Sequence, residues 1–341
     1  MIYRSRAPLR IGLAGGGTDV SPYSDEFGGA ILNATISHYA HASIEPIEEN
    51  GIIVQTLDRK EEQRFEWSCD LPIDGKLDLL KGVYNRIQKD YGLPITNFRL
   101  CTFVDAPAGS GLGTSSTLVV AIIGAFAEML KLPLGEYDIA NYAYDIERKD
   151  LQLAGGKQDQ YAATFGGVNF MEFYAGDKVI VNPLRIKQDY INELENNLLL
   201  YFTSTSRESA TIIKEQQKNV LQKNEKSIEA MHQLKEQARM MKEALLKGRL
   251  HEIGEILDYG FQQKRNMAKN ISNDAIDSLY EAVKQSGATG GKISGAGGGG
   301  FMIFYCPGNT RFRVMETLNK FGGEVKPYRF TKEGLRTWTA Q

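Results

Sequence analysis

The chain is 341 residues long, more than one hydrophobic core usually serves, so two domains are expected. A hydrophobic content of 42% and a charged content of 24% suit an ordinary soluble globular protein, and a net charge of −2 gives no electrostatic case for a nucleic-acid partner. No run of about 18 apolar residues offers a membrane span, MIYRSRAPLR lacks a signal core, and Cys69, Cys101 and Cys306 form no CxxC pair, so a cytoplasmic setting is expected.

Glycine-rich segments stand at Pro8–Asp19, Pro107–Ser116 and Lys292–Phe301. Residues 29–57 alternate apolar and polar, which predicts strands paired about a turn at Glu48–Gly51. Leu77, Leu80, Val83, Tyr84, Ile87 and Tyr91 recur at helical spacing until Gly92 and Pro94 stop the helix. Phe98–Val104 reads as a strand feeding the second glycine segment. Thr117–Leu132 is apolar nearly all round and predicts a buried helix. Gly135–Lys149 reads as a helix, and Phe165–Phe173 with Lys178–Val181 as a hairpin about Ala175-Gly176. Near residue 185 the texture changes, which sets the expected division into 1–185 and 186–341. Leu198–Thr203 is a short apolar strand, and 208–250 is rich in helix formers. Helices follow at His251–Asn270, Asp274–Ser286 and Thr310–Phe321, with strands at Gly300–Tyr305 and Glu324–Phe330.

The second glycine segment carries the most chemistry. Pro107, Gly109, Ser110, Gly111 and Gly113 lie between a strand and a helix, and the glycines can turn N–H groups toward phosphate oxygens. Thr114, Ser115 and Ser116 fall at the helix start, where hydroxyls can cap the helix or ligate Mg²⁺. No GK[ST] ends the loop, and Thr114 stands where a dinucleotide fingerprint needs glycine. A tight strand-to-helix turn would need the same glycines. The Ser/Thr cluster favours an anion, and an ATP site is expected here.

Phosphoryl transfer needs a carboxylate for Mg²⁺ and a group to position or deprotonate the attacking hydroxyl. Glu147, at a helix end, suits the first role, with Asp150 as a competitor. Asp159, after Gly155-Gly156, suits the second. Both could equally be solvated surface charges. His38, His41, His232 and His251 make no HExxH or clustered set.

The three glycine segments together resemble the GHMP kinases, the superfamily of galactokinase, homoserine kinase and mevalonate kinase. Its first motif is similar to Ala7-Pro8-Leu9-Arg10 followed by Gly15-Gly16-Gly17-Thr18-Asp19, its second to Pro107–Ser115, and its third to Gly295-Ala296-Gly297-Gly298-Gly299. The resemblance spans nearly the whole chain. It implies an α+β fold of two domains, the N-terminal one like domain 2 of ribosomal protein S5 and ATP-binding, the C-terminal one ferredoxin-like. It also implies roles. Ser115 and Glu147 would hold Mg²⁺, Asp159 would be catalytic, and Arg10 would pair with Asp159 and neutralise developing charge. Asp19 would hydrogen-bond sugar hydroxyls, with Gly16, Gly17 and Thr18 beside it, and Gly156, Gly297 and Gly298 would close on substrate.

Galactokinases carry two larger side chains where this chain has Gly16-Gly17, which makes room for a larger sugar. The PLRIGLAGGGTDVSPY stretch looks like that of the bacterial D-glycero-D-manno-heptose 7-phosphate kinases within the superfamily. The resemblance implies ATP-dependent phosphorylation of an anomeric hydroxyl to the 1,7-bisphosphate, for nucleotide-activated heptose. A sugar phosphate needs a cationic receptor, for which Arg207 and Lys157 are favoured over Lys264 or Arg265. A kinase of another sugar, fucose-like or galactose-like, is the near alternative. A regulator that binds sugar and ATP without turnover is a further one, although it would be expected to lose one of Ser115, Glu147, Asp159 and Arg10.

Overall fold

The computed structural model describes residues 1–204 and 209–341. The first half runs β1 (Ile2–Ala14), α1 (Tyr23–Phe27), β2 (Gly29–Pro46), β3 (Ile52–Thr56), β4 (Glu61–Phe65), α2 (Asp78–Tyr91), β5 (Phe98–Val104) and α3 (Thr114–Leu130). It continues with α4 (Glu136–Asp145), α5 (Gln158–Phe165), β6 (Val168–Phe173) and β7 (Val179–Pro183). Then come α6 (Gln188–Asn197), β8 (Leu198–Phe202), α7 (Ser209–Leu221), α8 (Glu225–Lys247), α9 (Ile253–Lys264) and α10 (Asp274–Gln285). The chain closes with β9 (Gly290–Ile293), β10 (Phe301–Tyr305), α11 (Arg311–Leu318), β11 (Glu324–Val325) and β12 (Arg336–Ala340).

The first sheet has the order β12-β1-β2-β5-β3-β4, with β6 added beside β2 and β7 beside β6. β2 is long enough to serve two neighbours along one edge: Gly29–Ala34 pair with β6, and Ala40–Pro46 pair with β5. β5 therefore lies between β2 and β3, so the strands expected to pair about Glu48–Gly51 are not neighbours. The β1–β2 register shifts between Pro8 and Arg10, an irregularity of the kind that re-aims side chains near functional sites. α3 fills the core under this sheet. Its sequence is apolar all round because its surroundings are: Leu118–Ile123, Ala125 and Phe126 are all buried.

The second sheet, β11-β8-β10-β9, is antiparallel throughout and buried on both faces. Alternation along its strands divides the work. Leu198, Leu200, Ile303 and Tyr305 face a core shared with Leu9, Ile11 and Leu13 of β1 and with α8 and α9, which joins the two halves. Leu199, Tyr201, Met302 and Phe304 face α10 and α11. The α+β class is as expected.

Several elements differ from expectation. β1 begins at Ile2 and occupies most of the first glycine segment, so its loop is confined to residues after Ala14. Phe165 ends the unexpected helix α5 instead of opening a strand. β11 is only two residues long where a strand to Phe330 was expected. β12 crosses the expected division at residue 185 and pairs with β1 in the first sheet. Among the described residues, no helix is long and apolar enough to cross a membrane.

Candidate active site

The second glycine loop and the third are pressed together backbone to backbone. The Ser110 carbonyl accepts from the Phe301 N–H at 2.8 Å, and Ser294 Oγ donates to the Gly111 carbonyl at 2.9 Å. Gly111 has φ +88°, and a Cβ there would stand 2.3 Å from the Ser294 carbonyl oxygen. Gly111→Ala should therefore be destabilising, by about 1–3 kcal/mol. A urea midpoint like that of the wild type would contradict this packing. Beyond the loop, α3 opens with the N–H groups of Thr114, Ser115 and Ser116 at the positive end of a 17-residue helix, an anion-binding arrangement.

Asp159 sits in the first turn of α5. Arg10, 3% exposed, donates from Nε to Asp159 Oδ1 at 2.6 Å and from Nη1 to the Gly111 carbonyl. Gly113 makes this approach possible, since a Cβ on it would lie 3.0 Å from Asp159 Cγ. The start of α5 has no capping side chain of its own. Asp19 supplies one from the other end of the sequence: its Oδ2 accepts from the N–H groups of Lys157 at 2.8 Å and Gln158 at 3.0 Å. The backbone there must come so close that a Cβ on Gly156 would lie 1.9 Å from Oδ2. Asp19 Oδ1 is buried without a protein partner. Burial pushes the Asp19 pKa up, against the pull of the Gln158 N–H.

Glu147 lies on a π-helical turn, Ile146–Asp150, that follows α4. Such turns are frequent at functional sites. Its carboxylate is 1% exposed and accepts from Ser116 Oγ at 3.0 Å and from Gln160 Nε2. Burial raises its pKa, with Arg148 opposing. The hydroxyl bonded to Glu147 is thus that of Ser116, while Ser115 is exposed to the same cleft. Asp150, the competitor for the metal role, is instead exposed and paired with Arg86 at 2.7 Å.

These groups surround one cleft of about 740 Å³. Arg10, Gly17, Asp19, Gly109, Gly111, Gly113, Thr114, Ser115, Ser116, Glu147, Gly156 and Asp159 all line it. Other expected residues do not. Pro107 is exposed outside the cleft, Ser110 is buried against the third loop, and Gly16 lies over the Lys264 ammonium at the cleft's margin. Thr18 is 0% exposed, because its hydroxyl bonds the Gly15 and Ala30 backbone and fixes the turn. In the third loop Gly295 and Ala296 reach the cleft, whereas Gly298 donates to the Ile271 carbonyl and Gly297 packs on Ile271.

Lys157 is a correction. Its ammonium is buried away from the cleft, 3.0 Å from Asp177 and over the Tyr144 ring. Only its N–H serves the site, through Asp19. Arg265 pairs with Asp277 at 2.7 Å and stacks on Phe261. Arg207 falls outside the described residues. Lys264, the less favoured candidate, lines the cleft.

Sequence reasoning missed Gln160, which holds Glu147, and Arg148, which donates to the Leu153 and Gly156 carbonyls and shapes the loop before α5. It also missed Lys292, buried and donating to the Gly12 carbonyl at 2.7 Å. No local spacing marks any of the three. The π-helical turn after α4 could have been suspected only from the Glu147–Asp150 charge run that ends an otherwise regular helix.

The chain is similar to known proteins along its length. The family model for the GHMP kinases N-terminal domain matches residues 78–167, and that for the GHMP kinases C-terminal domain matches 241–324. The D-glycero-alpha-D-manno-heptose 7-phosphate kinase of Campylobacter jejuni is 48% identical over 335 residues, covering 98% of either chain. The bifunctional fucokinase/GDP-fucose pyrophosphorylase of Arabidopsis thaliana is 28% identical over 87% of this chain and 29% of its own. A crystal structure of a D-glycero-D-manno-heptose 1-phosphate kinase from Bacteriodes thetaiotaomicron superposes with a TM-score of 0.86 at 45% identity over 99% of both chains. With kinship of this depth along its whole length, the chain belongs to the GHMP kinases and is a phosphotransferase that acts on a hydroxyl acceptor.

Proposed function

We propose that this kinase uses ATP and Mg²⁺ to phosphorylate the anomeric hydroxyl of D-glycero-D-manno-heptose 7-phosphate, giving the 1,7-bisphosphate for nucleotide-activated heptose. The observation that carries the reading is the Arg10–Asp159 pair, 2.6 Å apart, seated directly against the phosphate loop in one cleft. The heptose phosphate comes from the relatives at 48% and 45% identity, both named for a heptose bearing one phosphate. Their names differ in which phosphate they cite, so the acceptor carbon is part of the proposal. The fucokinase-containing relative, at 28% identity, supports an unphosphorylated sugar as the second reading.

The donor set fits the implied partners. The N–H groups at the start of α3 suit the nucleotide phosphates. Ser115 and Glu147 would hold Mg²⁺, which takes oxygen ligands and keeps phosphate oxygens and water among them. When bound, the ion supplies charge neutralisation on the transferring phosphoryl group. Among the described residues no group of three His, Cys, Asp or Glu gathers as a metal cage.

The chain's own residues account for the rest. Asp159 orients the acceptor hydroxyl and takes its proton. Arg10 fixes Asp159 and offsets negative charge beside it. Asp19 accepts a sugar hydroxyl at its free Oδ1 while its Oδ2 caps α5, so ring position and base position share one residue. Ser116 and Gln160 hold Glu147. We place the division of the domains near residue 185, with β12 as a returning strand. Free thiols at Cys69, Cys101 and Cys306 and a need for ATP suit the cytoplasm.

The test is ADP release with Mg-ATP against heptose 7-phosphate, unphosphorylated heptose, mannose 6-phosphate, fucose, galactose and mevalonate. The proposal expects heptose 7-phosphate to exceed every other acceptor in kcat/KM. Preference for fucose or galactose would move the reading to the alternative, and ATP binding without turnover on any acceptor would favour a regulator.

A further inference from the structure

Most basic side chains around the cleft are engaged elsewhere. Arg10 is bonded to Asp159 and to the Gly111 carbonyl. Arg148 holds the carbonyls of Leu153 and Gly156 and lies 3.7 Å from Glu147. Lys157 and Arg265 point to Asp177 and Asp277. Lys292 is buried against Gly12 and does not line the cleft.

Lys264 differs. It lines the cleft, is only 4% exposed, and donates to the Gly295 carbonyl. Among the described residues no carboxylate lies within ion-pair distance of it. A buried ammonium with one carbonyl partner and two spare hydrogens is costly unless a ligand brings the missing charge. The approach to it is kept clear by Gly16: a Cβ there would already lie 3.8 Å from Nζ, so any longer side chain would occupy the space over the ammonium.

We propose that Lys264, reached over the side-chain-free backbone at Gly16, reads the phosphate that the acceptor already carries. This deepens the proposed function and rests on its phosphorylated acceptor. Gly16 and the lysine then form one specificity device. Gly16 removes a side chain that would cover the ammonium, and the lysine rewards an acceptor that brings a phosphate.

A pH signature follows. In the free enzyme burial, then Arg10, holds the Lys264 pKa down to about 8, while Asp19 opposes. Lys292 is a further cationic neighbour, itself depressed by burial and by Lys264. Below about pH 8 Lys264 is charged and binds the phosphate. Above it the free enzyme loses the proton and affinity falls. A phosphate monoester is mostly dianionic above about pH 6, so KM for the phosphorylated acceptor should be lowest between the two and rise past pH 8.

The experiment compares wild type, Lys264→Met and Lys264→Arg on D-glycero-D-manno-heptose 7-phosphate and on unphosphorylated heptose, with kcat and KM separated and KM followed from pH 6.5 to 9.5. Lys264→Met should raise KM for the 7-phosphate about 10–100-fold. Its values for unphosphorylated heptose and its KM for ATP should stay within about twofold of wild type. Lys264→Arg should regain affinity and lose the rise past pH 8, because a guanidinium does not titrate there. Equal losses on both acceptors would assign Lys264 to the transferring group, and no loss on either would make it structural; each overturns the proposal. Should the Met variant fail to fold, a persistent rise past pH 8 in Lys264→Arg overturns it alone. A wild type that does not prefer the 7-phosphate would instead overturn the acceptor reading, and the present proposal with it.

Discussion

Exchanging Asp159 for Asn is expected to lower turnover by about 10²–10⁴-fold while the fold and ATP binding persist. The substitution is isosteric. The Asn carbonyl can take the place of Oδ1 and still accept from Arg10 Nε, now 2.6 Å away. What disappears is the capacity to accept a proton. Arg10 remains buried and keeps its bond to Gly111, but loses the opposite charge. Asp159 is a quarter exposed, so solvent screens part of that loss. A destabilisation of about 1–3 kcal/mol is expected. Single-turnover kinetics, calorimetric ATP titration and a thermal melt separate the three quantities. Turnover within tenfold of wild type would remove Asp159 from the chemistry.

Glu147→Gln should produce the opposite pairing of effects: activity falls by orders of magnitude while the ligand-free protein is as stable as wild type or more so. Burial raises the Glu147 pKa. A carboxyl whose folded pKa lies above its unfolded value stabilises fully only below the unfolded pKa, and that contribution is lost as pH rises through the folded one. Ionising this buried carboxyl is a burden on the free protein, and a neutral amide cannot ionise. The neighbours can adapt. Gln160 Oε1 is buried without a partner, so rotation of its amide lets that oxygen accept from the new amide. Ser116 can still donate to the remaining oxygen. The functional loss follows because a neutral amide is a weak Mg²⁺ ligand. Turnover should demand far more Mg²⁺ or fail, and the gain in melting temperature should fade at low pH. An unchanged Mg²⁺ dependence would take Glu147 out of the metal role.

What the sequence disclosed and what it hid have physical reasons. The phosphate loop was legible because its glycines stand between a strand and a helix that is apolar on every face, and α3 is buried on every face. β1 was missed although Ala7, Leu9, Ile11 and Leu13 alternate in the manner of a strand. Pro8, Gly12 and the glycines beyond drew the reading toward a loop. α5 was hidden for a different reason. Its N-terminus is capped by Asp19, 138 residues distant from Lys157, so no local capping signal exists near Asp159. β3 was placed beside β2 because hairpins are the simplest connection, yet β5 inserts between them.

The site divides along the same line. Arg10, Glu147 and Asp159 could be named from motifs, but their supports could not. The contacts of Gln160 with Glu147, of Asp19 with Gly156, and of Gly111 with Ser294 are tertiary. Lys157 was misread because its position beside Asp159 in sequence says nothing about Asp177, which draws its side chain the other way. For Lys264 the sequence favours a solvated surface charge, the usual state of a lysine on a helix. Here it ends α9 against the third glycine loop and is buried.

The most direct test of the account is phosphorus NMR of the reaction product. The wild-type enzyme is supplied with Mg-ATP and offered D-glycero-D-manno-heptose 7-phosphate or, separately, the 1-phosphate. One ADP is expected for each 7-phosphate consumed, together with a new phosphorus resonance coupled to the anomeric proton and the original phosphate retained. Consumption of the 1-phosphate instead, or a new phosphate on any other carbon, would contradict the account.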